Sequence, residues 1–141
     1  MTTCAEIRCP LGKVSRFAAN PDNAPLWYDN IKSVEWKTAK ELTVGAQVAF
    51  VAHFLGKRLA YTYTIRTLTD TSMVMATSEG PFPMETTYTW ESLDAHTTRM
   101  TLRNRGVPSG FSKIFAPLMG FMMKQANKKD LKKLKQILEQ A

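Results

Sequence analysis

Residues that build disulfide frameworks and metal sites are scarce in this sequence. It has two cysteines and two histidines in 141 residues, and their spacing matches no zinc motif. Cys4 and Cys9 are predicted to lie on opposite faces of a first strand, roughly 17 Å apart at ~3.3 Å per residue, so they cannot pair with each other. We therefore expect two reduced, unreactive thiols, no metal site and no cofactor.

Long hydrophobic runs are also lacking. No apolar stretch approaches the ~18 residues of a membrane span, and the first residues, MTTCAEIRCP, do not contain the apolar core of a signal peptide. The sequence shows no repeat, no low-complexity segment and no linker rich in Gly or Ser. These absences predict a cytoplasmic protein with a single domain over residues 1–141, large enough to bury roughly 68–70% of its unfolded surface.

Negative charge is in the minority, and the net charge is +7. Such a charge suits nucleic acid, an anionic membrane or an acidic partner. The lysines of KQANKKDLKKLK are interpreted as the solvated face of a helix, with a weak contact to an anionic membrane as the alternative. Arg99, Arg103 and Arg105 alternate along one strand. We favour partial pairing with Glu85 and Glu91 on a solvated face over a nucleic-acid site.

The order of hydrophobic periodicities predicts an α+β fold. A first strand over 4–9 precedes two short helices, over 11–20 and 22–31, the second capped by Asp22 or Asn23. Period-two alternation then predicts six antiparallel strands near 33–37, 46–54, 58–66, 72–79, 84–92 and 98–106. Residues 111–141 predict a long helix, perturbed near its start by Pro117. Its apolar stripe comprises Ala116, Met119, Met123, Asn127, Leu131, Leu134 and Leu138.

The sequences of the last two strands indicate the register in which these strands pair. A three-residue loop over 94–96 places Trp90 opposite Met100 and Glu91 opposite Arg99. A two-residue turn would shift every one of these pairs. The same register also pairs Tyr88 with Leu102, Thr89 with Thr101 and Glu85 with Arg105.

Four segments carry a resemblance to a known superfamily: NPDNAPLWYDNIKSVEW, VGAQVAFVAHFLGKRLAYTYTI, EGPFPMETTYTWE, and PSGFSKIFAPL followed by ANKKDLKKLKQIL. They resemble the second helix, the third and fourth strands, the sixth strand and the final helix of the START-like or SRPBCC superfamily, also called birch-pollen-allergen-like, in its polyketide cyclase/dehydrase branch. The resemblance covers nearly the whole chain. It implies a helix-grip fold, an antiparallel sheet of about seven strands wrapped around a long C-terminal helix, with two short helices after strand 1.

The resemblance also implies a pocket between the concave face of the sheet and the final helix. Aromatic and methionine side chains offer adaptable apolar surface to a ligand, although the same residues would also form an ordinary filled core. The expected function is binding or transport of a small hydrophobic ligand of lipid, polyketide or aromatic type. The predicted lining is Trp27, Phe50, Phe54, Tyr61, Tyr63, Met75, Tyr88, Trp90, Met100, Leu102, Met119 and Met123.

Two other functions stay open. A cyclase/dehydratase-like enzyme needs an acid or base aimed into the pocket, but His53 is predicted to face solvent and His96 to lie in a loop. A tyrosine, or Asn104, acting with a bound water is the remaining candidate, so no catalytic residue is assigned and a non-enzymatic role is preferred. Relatives implied by the resemblance include co-chaperones and a ribosome-associated toxin, so an interaction module of either type is the second alternative. Ser109 is interpreted as a helix cap.

Two features bear on how the pocket is covered and entered. Trp27 and Tyr28 stand in a stretch that otherwise reads as turn, and the resemblance implies that the final helix and the sheet cover them. Ile114 and Phe121 project toward the lysine side of that helix. We expect them to flank a ligand entrance together with the hairpin tip at Gly56, unless a neighbouring loop simply covers them.

Overall fold

The computed structural model describes residues 2–54, 56–79, 83–106 and 116–140, with the side chains of Phe54, Lys57 and residues 116–120 excepted. The elements in chain order are β1 (Thr2–Ile7), α1 (Leu11–Ala19), a 3₁₀ turn (Pro21–Asn23), α2 (Ala24–Trp27), β2 (Ile31–Trp36), β3 (Gln47–Phe54), β4 (Lys57–Leu68), β5 (Ser72–Glu79), β6 (Met84–Asp94), β7 (Thr97–Gly106) and α3 (Ala116–Gln140). The predicted order of strands and helices is confirmed.

The strands form one antiparallel sheet in the order β1-β7-β6-β5-β4-β3-β2. From β2 to β7 each strand pairs with the next one in sequence, as short connections favour. β1 pairs with β7, so the first and last strands are neighbours. α1 packs against β6 and β7, whereas α3 packs most closely against β1 and α2. The predicted sheet wrapped around a long C-terminal helix is therefore present.

The predicted register of β6 and β7 is confirmed, but the turn between them is shorter than expected. Asp94 pairs with Thr97, which leaves a two-residue turn, and the register shifts by one residue at Leu93. A bulge adds one residue to one strand of a pair, so it restores the register that the short turn would otherwise change. The pairs include Trp90 with Met100, Glu91 with Arg99, Tyr88 with Leu102 and Glu85 with Arg105.

Strand alternation sorts the core side chains as predicted. Val48 and Ile65 are each 1% exposed, and Leu102 is fully buried. The opposite face carries charge at its surface, where Arg99 lies between two carboxylates, 3.2 Å from Glu6 and 3.5 Å from Glu91. The sheet therefore has one apolar face toward the helices and one solvated face.

Two local expectations are corrected. The second helix ends at Trp27 rather than residue 31, because the backbone of Tyr28 is already extended. Asn23 holds its N-cap position, as predicted, but makes no side-chain capping hydrogen bond. The capping bond belongs to the 3₁₀ turn before it, where the Asn20 side chain accepts the N–H of Asp22 at 3.1 Å. β1 ends at Ile7, so Cys9 lies beyond the strand. Cys9 is buried and Cys4 is exposed, and both are free thiols.

α3 buries most of its predicted stripe and is tied to β1 at its C-terminal end. Asn127, Leu131, Leu134 and Leu138 are buried. Lys135 Nζ donates to the backbone oxygen of Glu6 at 2.7 Å, and Glu139 accepts the N–H of Arg8 at 2.9 Å. The side chains of Ala116, Pro117 and Met119 and the whole of Ser109 and Ile114 lie outside the described residues. Among the described helices, none is long and apolar enough to cross a membrane.

Candidate functional site

A cavity of about 180 Å³ lies between α3 and the inner face of the sheet. Its floor comes from strands β3 to β7, one side from the end of α1 and the turn after it, and its roof from α3. The lining extends to Arg105 and Gly106, which are exposed, so the cavity approaches the surface at the end of β7. Its apolar wall consists of Ala18, Ala19, Ala24, Ile31, Phe50, Ala52, Leu59, Met73, Met75, Met84, Met123 and Ala126.

The predicted lining residues separate into three groups. Phe50, Tyr61, Tyr63, Met75, Tyr88 and Met123 lie in the cavity wall. Trp27, Trp90, Met100 and Leu102 are at most 1% exposed and pack in the core instead of against the cavity. Alternation assigns a side chain to a face of the sheet, but it does not say how far along that face the helices close over it. The side chains of Phe54 and Met119 lie outside the described residues.

Trp27 and Tyr28 occupy different environments although they are adjacent in sequence. The Trp27 ring is fully buried, with its centroid 4.1 Å from that of Tyr28 and 5.8 Å from that of Tyr88. Tyr28 lines the cavity, and its hydroxyl is hydrogen-bonded to the Tyr88 hydroxyl at 2.5 Å. Trp27 thus supports, from behind, the tyrosine pair that faces the cavity.

Burial keeps the cavity tyrosines protonated. It is the main cause that raises the pKa of Tyr28, Tyr61 and Tyr88 well above the usual value, and it raises the pKa of Tyr63 to about 12. A neutral hydroxyl both donates and accepts hydrogen bonds but is a poor general base at neutral pH. These groups are therefore suited to orienting a ligand.

A hydrogen-bond chain crosses the floor of the cavity from β4 to β7. The Thr86 hydroxyl donates to Asn104 Oδ1 at 3.0 Å, and the Tyr63 hydroxyl is hydrogen-bonded to Thr86 Oγ1 at 2.8 Å. Because the single Thr86 proton goes to Asn104, Tyr63 is the donor to Thr86. Tyr63 and Asn104 were singled out from the sequence. Thr86 was not, although its alternation with Met84 and Tyr88 places it on the same inner face.

Asp130 is a buried acidic group in the wall that sequence reasoning missed. It is 2% exposed, and its Oδ1 accepts the N–H of Asp29 at 3.1 Å. Burial raises the pKa of Asp130 to about 6, the Asp29 N–H opposes that rise, and the Asp29 charge adds to it. Its position in the sequence indicates burial, because Asp130 falls three residues after Asn127 and four before Leu134, within the buried stripe of α3.

Asn127 lines the cavity one helical turn before Asp130. It is 5% exposed, and its Nδ2 has no hydrogen-bond partner among the residues that the structure describes. The sequence placed it correctly on the buried stripe of α3. A buried amide donor without a partner is costly, so its presence at a cavity wall suggests a role in binding.

The other titratable candidates lie at the margin or outside. His53 and His96 are exposed, and neither lines the cavity. Glu85, expected only on the outer face, also contributes to the lining where the cavity reaches the start of β6, and its charge adds to the raised pKa of Tyr63. Within the described ranges, no group of three or more His, Cys, Asp or Glu residues is arranged to hold a metal ion.

Comparison with known proteins gives one family and a set of similar folds. A family model described as polyketide cyclase / dehydrase and lipid transport matches residues 1–139. None of the curated proteins matches the chain.

Three solved structures illustrate the shared fold. The Zhui aromatase/cyclase from Streptomyces sp. R1128 has a TM-score of 0.81 at 15% identity, covering 99% of this chain and 92% of that one. TTHA0849 from Thermus thermophilus has a TM-score of 0.79 at 17% identity, covering 96% and 94%. A START superfamily protein from Mycobacterium smegmatis has a TM-score of 0.76 at 13% identity, covering 99% and 97%. At such identities the likeness shows a common helix-grip architecture and leaves function to the site.

Proposed function

The chain belongs to the polyketide cyclase / dehydrase and lipid transport family, and from this premise we propose that its cavity binds a small, mainly apolar ligand, which the protein carries or senses without changing it chemically. The observation that carries the proposal is the composition of the wall. Aromatic rings and methionines supply much of it, with a few hydrogen-bonded hydroxyls between them. Apolar surface with a small number of oriented polar groups is typical of small-molecule sites.

The size of the cavity favours a compact ligand. An apolar cavity of about 150 Å³ accommodates a single benzene ring, and this one measures about 180 Å³. Methionines at 73, 75, 84 and 123 line it and can change rotamer to admit a somewhat larger molecule. We therefore propose a ligand with one or two fused rings, or a short acyl chain.

A matched pair of substitutions on α3 tests the proposal. Ala126 lines the cavity and Gln125, its neighbour, is exposed. Ala126→Phe is expected to fill the cavity and abolish saturable binding of the neutral dye N-phenyl-1-naphthylamine, measured by its fluorescence. Gln125→Phe adds the same side chain outside and is expected to bind the dye like the wild type. Equal binding by the two variants would show that the dye sits elsewhere and would refute the cavity as the site.

A cyclase/dehydratase-like enzyme is the second candidate, and Asp130 is the observation that favours it. A buried carboxyl whose pKa is raised to about 6 exchanges its proton near neutral pH, as general acid–base catalysis requires. The test is incubation with a synthetic aryl triketone, following cyclised aromatic product by absorbance. The carrier proposal expects the spontaneous rate. An accelerated rate in the wild type that Asp130→Asn abolishes would establish the enzyme in its place.

A further inference from the structure

Two side chains of α3 face the cavity with hydrogen-bonding capacity that the described residues do not take up. Asn127 is 5% exposed, and its Nδ2 donor has no described partner. Asp130 is 2% exposed, and its Oδ1 accepts the N–H of Asp29. An ionised carboxylate accepts about four hydrogen bonds, so Asp130 retains acceptor capacity. Residues three apart on a helix are neighbours, which sets a donor and an acceptor side by side.

We propose that the ligand carries an uncharged polar group, a hydroxyl or a primary or secondary amide, that donates a hydrogen bond to Asp130 and accepts one from Asn127. This inference rests on the proposed function and adds the chemistry of the ligand's polar end. A hydroxyl or an amide fills both roles at once, because each of these groups has both a donor and an acceptor atom. A ketone has no donor for Asp130. A purely apolar ligand displaces water from the site and leaves both protein groups without a hydrogen-bond partner.

The surrounding charges argue against a carboxylate ligand. Asp29 lies beside Asp130 and raises its pKa by charge, while Lys129 and Lys133 act in the opposite direction. Lys129 is exposed and pairs with Asp29 at 3.5 Å. The remaining titratable neighbours are the protonated hydroxyls of Tyr28 and Tyr88, whose pKa values the Asp130 charge helps to raise. Beside Asp130 a second buried anion would therefore meet like charge without a dedicated partner. Arg105, which also lines the cavity, is exposed at the end of β7 and lies opposite Glu85 in the sheet.

Three probes with one ring system and different substituents test the inference: 2-naphthol, 2-naphthoate and 2-methylnaphthalene. Binding to the full chain is measured by competition with N-phenyl-1-naphthylamine at slightly alkaline pH. The wild type is expected to bind the naphthol at least roughly tenfold more tightly than the methyl compound, since one hydrogen bond to a charged group is worth about that factor. The naphthoate is expected to bind most weakly.

Two variants assign the preference to the α3 side chains. Asn127→Leu and Asp130→Asn are each expected to reduce the preference for naphthol to within about twofold while leaving the affinity for methylnaphthalene unchanged or improved. Gln125→Leu, which removes an exposed amide on the same helix outside the cavity, is the control and is expected to keep the wild-type preference. Asp130→Asn retains a side-chain oxygen that can accept the Asp29 N–H, so folding is expected to be preserved.

A pH series on the wild type provides a measurement that needs no variant. The preference for naphthol is expected to weaken as the pH falls through about 6, where Asp130 gains its proton and becomes a weaker acceptor. Asp130→Asn is expected to show no such step. His53 and His96 are exposed, and neither lines the cavity.

The outcomes separate the inference from the function on which it rests. If none of the three probes competes, the proposed ligand binding fails and the inference fails with it. If all three bind alike, the cavity binds ligands, but Asn127 and Asp130 do not select them. If the preference survives in both α3 variants, the polar contact belongs to another part of the wall, such as the Tyr63–Thr86–Asn104 chain, and the inference is wrong.

Discussion

Replacing Asn127 with leucine is expected to make the ligand-free protein more stable. In the folded protein Asn127 is 5% exposed, and its amide donor has no described partner. In the unfolded chain that donor is hydrogen-bonded to water. Folding removes this water, and no described protein group replaces the lost hydrogen bond. The penalty for such a group is about 1–3 kcal/mol. Asn127→Leu removes the penalty and extends the apolar surface beside Leu131 and Leu134, so we expect the free energy of unfolding to rise by about 1–3 kcal/mol.

Urea unfolding followed by tryptophan fluorescence measures this change, and the slope of free energy against urea is expected to stay constant. Asn104→Leu is the matched control, because Asn104 accepts a hydrogen bond from Thr86 at 3.0 Å. The control is expected to lose about 0.5–1.5 kcal/mol.

A loss of stability in Asn127→Leu as large as in the control would refute the reasoning, since it would mean that the Asn127 amide is already satisfied. A gain in stability together with weaker binding of 2-naphthol would instead mark Asn127 as a residue that exchanges stability for recognition.

Three further predictions concern charge, pH and the pocket entrance. Arg99→Ala removes exposed pairs with Glu6 and Glu91 at 3.2 and 3.5 Å and should leave the midpoint of urea unfolding almost unchanged, so a large fall in that midpoint would contradict the assignment of this face to solvent. Because the pKa of Asp130 is raised from 3.8 to about 6, its contribution to stability is full at low pH and is lost as the pH rises through about 6. The stability of the wild type relative to Asp130→Asn should therefore fall by on the order of 2–3 kcal/mol between acid and neutral pH, and a difference that does not change with pH would show that Asp130 is not desolvated. Phe121 is 61% exposed at the start of α3, and if this segment flanks the entrance, hydrogen exchange over residues 121–127 should slow when N-phenyl-1-naphthylamine binds. Protection that is already strong in the empty protein and does not change on binding would exclude a gate there.

The sheet was predictable because its information is local. Alternation in β4 and β6 sets Tyr63 and Tyr88 on the inner face whatever the neighbouring strands do. The register of β6 and β7 followed from matching Trp90 with Met100. The register did not determine the length of the loop, because a two-residue turn with a bulge at Leu93 gives the same pairs as a three-residue loop.

The site was harder to predict because its position depends on packing between distant segments. Trp90 and Tyr88 are two residues apart on one face, yet only Tyr88 lines the cavity, whereas Trp90 is 1% exposed and packs in the core. Asp130 is surrounded in the sequence by lysines, which indicate a solvated surface. Only its position in the helical repeat indicates that its side chain faces inward. The Asp29 N–H that binds it comes from a connection 101 positions away.

The pairing of β1 with β7 also constrains the order of folding. Thr2 pairs with Arg103, so β1 has no partner in the sheet until nearly the whole meander from β2 to β7 exists. Closing so long a loop is entropically costly and slow, whereas each hairpin from β2 to β7 closes locally. During synthesis β1 is made before β7 and stays unpaired until β7 is available. Ile7, which is fully buried in the folded protein, therefore remains exposed to water until that pairing forms. Docking of α3 through Lys135 and Glu139 onto Glu6 and Arg8 then has to follow that late pairing, which makes closure of the cavity one of the last steps of folding.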